Sequence, residues 1–265
     1  MPPAVDGAFA RWLAQGAGDL LLRLRDEMGF DDATNLRKNG DKHAHDFITT
    51  MLARWRPNDA VMSEEAAHDD LSRLEADRVW IVDPLDGTRE FGEVGRGDWA
   101  VHIALWARTS VAPSRLAAAA ISLPAQHRIF GTDFPPTYPP LSPSAAGSDG
   151  TASRTLKFVV SRTRPPAMMS ALLAELGGEL VPMGSAGAKI AAVISGDADA
   201  YVHAGGQHEW DSAAPVAVAI ATGLHTSRID GSALEYNQAD TLLPDLVVCR
   251  KDLAAPLLAT ISRVG

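Results

Sequence analysis

The segment Trp80-Ile81-Val82-Asp83-Pro84-Leu85-Asp86-Gly87-Thr88 puts two carboxylates, a hydroxyl and a tight turn at the end of an apolar run. Pro84 holds the preceding residue extended. The spacing therefore predicts a strand ending in Asp83, a turn through Asp86-Gly87-Thr88, and a helix capped by Asp86 or Thr88. Such a corner sends both carboxylates and several backbone N–H groups into one small volume, suited to holding phosphate. A lone Asp-Gly-Thr is usually a capped corner and nothing more. The apolar lead-in, the proline and the second aspartate favour chemistry here.

Two more acidic groups follow the same logic. Ser63-Glu64-Glu65 comes after a short apolar stretch, and Glu209-Trp210-Asp211 opens a helix rich in Ala and Val. Taken singly, paired glutamates are usually solvated, and Asp211 or Asp41 would be a helix cap. Taken together, crowded carboxylates cannot all ionise without cations, and hard oxygen donors suit Mg²⁺. The net charge of −9 points the same way. It argues against nucleic-acid polymers as partners, and a small phosphorylated substrate needs a local reversal of sign, which a divalent cation supplies. The histidines offer less. His43 and His45 have no third ligand at zinc-site spacing and read as surface residues. His203 and His208 read as hydrogen-bonded structural residues that could also touch substrate.

Positioning these groups requires an alternating chain. Residues 8–28 and 41–55 have helical periodicity, the second with Asp41 as N-cap and Pro57 as stop. Val61–Met62, Val79–Val82, Trp99–Trp106 and Leu116–Leu123 have strand lengths. From Gly131 to Ser153 the chain is rich in Pro (135, 136, 139, 140, 143), Gly and Ser, as in a loop or linker. Beyond it, strands at Leu156–Val160 and Ala200–Val202 alternate with helices at Pro165–Leu176, Ala188–Ile194 and Ser212–Ala221, implying a layered α/β half. This divides the chain into residues 1–152, an N-terminal α+β half with most of the acidic groups, and 153–265. The six tryptophans are expected in the core. A single cysteine, Cys249, rules out an intrachain disulfide. With no apolar run of about 20 residues and no leader-like start, a soluble cytoplasmic protein is expected.

The series Asp41, Glu64-Glu65, Asp83-Pro84-Leu85-Asp86-Gly87-Thr88 and Trp210-Asp211 resembles the signature of the lithium-sensitive, inositol-monophosphatase-like phosphatases. The resemblance spans nearly the whole chain. It implies an α/β (α+β) fold of five αβαβα layers with a metal site between two halves. It also implies one Mg²⁺ at Glu64, Asp83 and the Leu85 carbonyl, a second at Asp83, Asp86 and Asp211, and a weaker third near Glu64. Asp41 and Thr88 match the pair that orients and deprotonates water, and a homodimer is implied. Asp86, Gly87, Thr88, Ser185, Lys189 and Asp211 match positions that contact substrate. Haloacid-dehalogenase phosphatases, by contrast, space their two aspartates two apart before Gly-Thr. Asp83 and Asp86 are three apart, so a covalent aspartyl-phosphate is not expected.

Gly184-Ser185-Ala186-Gly187-Ala188-Lys189 and Asp230-Gly231-Ser232-Ala233-Leu234-Glu235-Tyr236-Asn237 resemble elements of the CysQ-type branch, which acts on 3′-phosphoadenosine 5′-phosphate (PAP). Inositol monophosphatases carry an acidic residue shortly after the tyrosine matching Tyr201; His203 or Ala204 stands there. There are departures from the PAP branch too. The Ser-to-Lys spacing is one residue longer, His203 replaces a common Arg, Pro215 replaces a glycine, and Gly223-Leu224 replaces Gly-Gly. The resemblance implies a PAP phosphatase with Lys189 reading a substrate phosphate. The alternatives are a broader phosphatase of inositol 1-phosphate or fructose 1,6-bisphosphate, or a catalytically silent metal- or nucleotide-binding protein.

Overall fold

Phe9, Leu13, Ala17 and Leu21 are fully buried along one face of the first helix, α1 (Asp6–Met28), in the computed structural model, which describes residues 1–66, 71–137 and 155–264. Gly29 ends the helix with φ 64°, a conformation that favours glycine. The second helix, α2 (Ala33–Trp55), starts about two turns before Asp41. Its cap is Asp32, whose side chain accepts from the Asn35 N–H. Asp41 is therefore mid-helix and not a cap. Gly40, inside the helix just before it, serves close approach. A Cβ there would lie 2.7 Å from Phe91 and 2.9 Å from Leu85.

The first sheet contains β1 (Ala60–Ser63), β2 (Arg78–Asp86), β3 (Ala100–Ala107), β4 (Leu116–Leu123) and β5 (Arg128–Gly131), in that spatial order. Only β1 and β2 are parallel. A four-residue helix, α3 (Thr88–Phe91), follows β2. The second half alternates β6 (Lys157–Ser161), α4 (Met169–Leu176), β7 (Glu179–Met183), α5 (Ala186–Ile194), β8 (Ala200–His208), α6 (Glu209–Thr222), β9 (His225–Ser227), β10 (Leu242–Cys249) and α7 (Lys251–Val264). Its sheet runs β7-β6-β8-β10-β9.

Strand alternation sorts the apolar residues into three cores. Val101, Ile103 and Leu105 of β3 face α1 and α2, while Ala100, Ala104 and Trp106 face α5 and α6. In the second sheet Tyr201 and Val248 face α5 and α6, while Val202 and Val247 face α4 and α7. The layers are thus α1/α2, first sheet, α5/α6, second sheet, α4/α7: the expected αβαβα order. Leu253, Leu257 and Ile261 dock α7 at helical spacing, each buried side chain stabilising by about 1.5–3 kcal/mol.

Several expected boundaries move: β8 continues past Val202 to His208 and α6 begins at Glu209, not Ser212. β2 does not stop at Asp83; it runs through Pro84 to Asp86, with its pairing to β3 slipping between those two aspartates. That irregularity is where a strand tolerates proline. α4 starts at Met169 and leaves Pro165 and Pro166 outside. Gly131 closes β5, and Pro135 and Pro136 lie in irregular chain. Pro139, Pro140, Pro143 and the expected boundary at 152–153 lie outside the described residues.

Candidate active site

The ends of β1 and β2, the middle of α2 and the first turn of α6 meet at one point. Asp83 lies on the β2 face that also carries Val79 and Ile81, turned toward the α5/α6 layer, and is 1% exposed. Its Oδ1 accepts from the Leu85 N–H at 3.0 Å. Gly87, at φ 85°, is the N-cap of α3, so neither Asp86 nor Thr88 caps it. The Thr88 hydroxyl instead lies 3.0 Å from the Leu85 carbonyl and 3.2 Å from Asp41 Oδ1. Its one proton can serve only one of them at a time. Glu64 follows β1, its N–H bonded to the Val82 carbonyl, and its carboxyl hydrogen-bonds that of Asp83. Asp211, in the first turn of α6, accepts from the His208 N–H at 2.7 Å in a capping box. All five expected carboxylates converge.

Such convergence shifts their protonation. Burial, then Glu65, raises Asp41 to about 7 against the opposing Thr88 bond. Burial and Asp211 raise Glu64 to about 7. Burial and Asp86 raise Asp211 to about 6. Burial, then Glu64 and Asp86, holds Asp83 well above the usual range. Asp86 is the exception. Burial pushes it up, but His102, the Ser185 hydroxyl at 2.5 Å and the Gly187 N–H at 2.7 Å outweigh that and hold it at about 2. Asp83 and Asp86 are buried, Asp41 and Asp211 half-buried and Glu64 exposed at the rim; carboxylates this close repel one another, and all offer hard oxygen. The donor set therefore fits divalent cations such as Mg²⁺.

The shifts set the pH dependence of stability. Carboxyls with folded pKa values above their unfolded ones contribute most below the unfolded pKa, near 4, and that contribution is lost as pH rises through about 7. Cations bind the ionised forms and reverse the loss. The gain in Tm on adding Mg²⁺ is expected to be small at about pH 5.5 and to grow steadily toward about pH 8. The half-buried His203 and His225, whose pKa values burial lowers and whose contributions run the other way, are common to both arms and cancel. Thermal melts with and without Mg²⁺ across this range check it; a gain independent of pH contradicts it.

A cavity of about 550 Å³ opens outward from Asp86 and Asp211. Ser185, at φ 36°, caps α5 by accepting from the Ala188 N–H while donating to Asp86. Lys189 is 5% exposed, and its ammonium donates to the Gly184 and Ser185 carbonyls, each at 2.8 Å. Its expected partner, a substrate phosphate, has only the third proton to claim. The outer wall carries Arg89, Arg162 and Arg164. Arg162 pairs with Glu90 and Glu93, and Arg89 pairs with Glu93. Arg164 is exposed and has no acidic partner among the described residues. His203, also in the wall, is held neutral, at about 4, by burial and then by Lys189 and Arg164.

His208 is exposed, bonds Thr241 and stacks on Trp210 at 4.6 Å; His45, expected at the surface, is half-buried and bonds Ser63. Trp80 and Trp99 are fully buried. Two contributors escaped the sequence reading. His102 gives a signal as the one polar residue on the inward face of Ala-Val-His-Ile-Ala-Leu-Trp-Ala. Arg164 gives none, because only the fold brings its loop to the cavity.

The sequence model of the inositol monophosphatase family matches residues 8–264. The chain is 50% identical to the 3′-phosphoadenosine 5′-phosphate phosphatase of Mycobacterium leprae (strain TN), covering 98% of this chain and 94% of that one. It is 27% identical to the 3′(2′),5′-bisphosphate nucleotidase CysQ of Escherichia coli (strain K12), covering 87% and 94%. The crystal structure of CysQ from Bacteroides thetaiotaomicron superposes with a TM-score of 0.72 at 26% identity, covering 91% and 96%.

Proposed function

Given that the chain belongs to the inositol monophosphatase family, whose members are metal-dependent phosphatases, we propose that it hydrolyses the 3′-phosphate of PAP to AMP and phosphate. The observation that carries this reading is the two-ended cavity, acidic at Asp86 and Asp211 and cationic at Arg164. An ester with a single phosphate needs only the first end. PAP has a second phosphate and a base for the other. The half-identical relative named for PAP supports the same substrate.

In this reading Glu64, Asp83, the Leu85 carbonyl, Asp86 and Asp211 hold two Mg²⁺ ions, with a looser third beside Glu64. The ions, when bound, polarise the phosphate and lower the pKa of water. Asp41 and Thr88 orient that water and take its proton. Thr88 donates to Leu85 when Asp41 is protonated and to Asp41 when it is ionised. The N–H groups of Gly87 and Thr88 line the phosphate, while Ser185, expected to touch it, gives its one hydroxyl proton to Asp86 and so acts through that carboxylate. The single buried Cys249 suits a reducing cytoplasm, and no described helix is long and apolar enough to cross a membrane. The family resemblance makes a homodimer the expected assembly.

Phosphate release from PAP, inositol 1-phosphate and fructose 1,6-bisphosphate by one preparation tests the proposal. PAP is expected to have the highest kcat/KM, with strict Mg²⁺ dependence and stronger inhibition by lithium than by sodium. Preference for inositol phosphate would install the broader phosphatase reading. Release from none of the three would leave a silent binding protein.

A further inference from the structure

His102, so far named only for its effect on Asp86, lies at the centre of the site. It is fully buried on β3, is the cross-strand partner of Asp83, and faces the α5/α6 layer. Its ring meets three separate segments. Nδ1 is 3.2 Å from the Trp210 carbonyl, one residue before Asp211 on α6. Nε2 is 3.2 Å from Asp86 Oδ2 at the end of β2. Gly187 on α5 lies directly against it, and a Cβ there would come 2.0 Å from Nε2. Glycine at 187 is thus what admits the ring.

The contact at Asp86 is with the oxygen already bonded to Ser185 and Gly187, leaving Oδ1 as that carboxylate's other oxygen. A backbone carbonyl only accepts, so Nδ1 carries a hydrogen toward Trp210. A carboxylate also only accepts, so Nε2 holds Asp86 only through a hydrogen of its own, and it stands at salt-bridge distance without hydrogen-bond geometry. We infer that His102 is a positioning residue for the metal site: one imidazole fixes Asp86 at the end of β2 and the first turn of α6 against the strand that carries it. It thereby sets the relative placement of Asp83, Asp86 and Asp211. A filler of the same volume would leave these contacts unmade. Residues that orient metal ligands typically change metal affinity by about ten- to a hundredfold when replaced.

The inference rests on the metal-site reading above, and the test separates the two. Mg²⁺ is titrated against thermal stability and, in parallel, against activity, in wild type, His102→Asn and His102→Gln. The Asn amide overlays Nδ1 and keeps the Trp210 contact; the Gln amide overlays Nε2 and keeps the Asp86 contact. Both variants are expected to raise the Mg²⁺ concentration for half-maximal stabilisation about ten- to a hundredfold, with most activity recovered at saturating Mg²⁺. Gly187→Ala, which drives a methyl into the ring, is expected to shift the same curve with His102 intact. Unchanged half-maximal Mg²⁺ in all three overturns the inference, as does activity that saturating Mg²⁺ does not recover. Selective loss of Mn²⁺ or Zn²⁺ binding with Mg²⁺ binding intact also overturns it, since His102 would then be a ligand itself. No Mg²⁺-dependent stabilisation in wild type would instead defeat the metal-site reading.

Discussion

Asp83→Asn is expected to abolish Mg²⁺-dependent phosphate release while leaving the fold intact and the metal-free protein more stable. Asp83 is the carboxylate assigned to both metals, so one neutral amide weakens two sites at once. Asn keeps an acceptor for the Leu85 N–H, which approaches Asp83 Oδ1 at 3.0 Å, so the turn should survive. What disappears is a fully buried carboxylate that burial, Glu64, Asp86 and Asp211 all push toward its neutral form. The push of Glu64, Asp86 and Asp211 against its charge goes with it. In a chain of this size each kcal/mol relieved raises Tm by about 2–4 °C. The loss of turnover is the larger effect, because in two-metal sites the ions generate the nucleophile and stabilise the leaving oxygen. Activity and a metal-free melt on one preparation check both halves. Near-wild-type turnover at saturating Mg²⁺ would remove the two-metal assignment. A lower metal-free Tm would show that Asp83 stabilises the fold by a contact the carboxylate alone can make.

Much of this site is legible in the sequence because its ligands sit beside turns, where residue type and backbone geometry constrain each other. Asp83-Pro84-Leu85-Asp86-Gly87-Thr88 announces itself, and Glu64 and Asp211 follow in context. Asp41 is found for the wrong structural reason. It reads as an N-cap, whereas α2 runs unbroken through it and Gly40 lets the helix press against Phe91 and Leu85. That close approach is a tertiary fact, and local propensity cannot express it. The same holds for β10, whose Pro244-Asp245 interrupts an apolar run, and for α7, which contains Pro256. His102 and Arg164 are the sharper cases. One histidine in an apolar strand, or one arginine in a Pro-rich loop, acquires meaning only from what packs across from it.

Substrate choice is the last place where sequence and geometry part, and it divides between two cations. Sequence spacing favours Lys189 as the reader of a distal phosphate. In the fold, its ammonium is buried, burial lowers its pKa, and two of its protons hold the Gly184 and Ser185 carbonyls. Ser185 in turn donates to Asp86. Lys189→Ala should therefore slip the turn that supports Asp86 and slow PAP and inositol 1-phosphate alike. Arg164 differs in kind. Of the cavity's arginines it alone has no acidic partner among the described residues, so its guanidinium is available to a second phosphate without first breaking an ion pair. Both substrates present a similar monoester to the metals, so discrimination must come from such remote groups. Arg164→Ala is expected to lower kcat/KM for PAP about tenfold, the effect of one charge-assisted hydrogen bond. It should leave inositol 1-phosphate, which has no second phosphate to lose, nearly unchanged. Because Arg164 is exposed, its advantage for PAP should also shrink as salt is raised. Equal losses on both substrates in Arg164→Ala would give the arginine a structural role. A loss confined to PAP in Lys189→Ala would return the phosphate to the lysine.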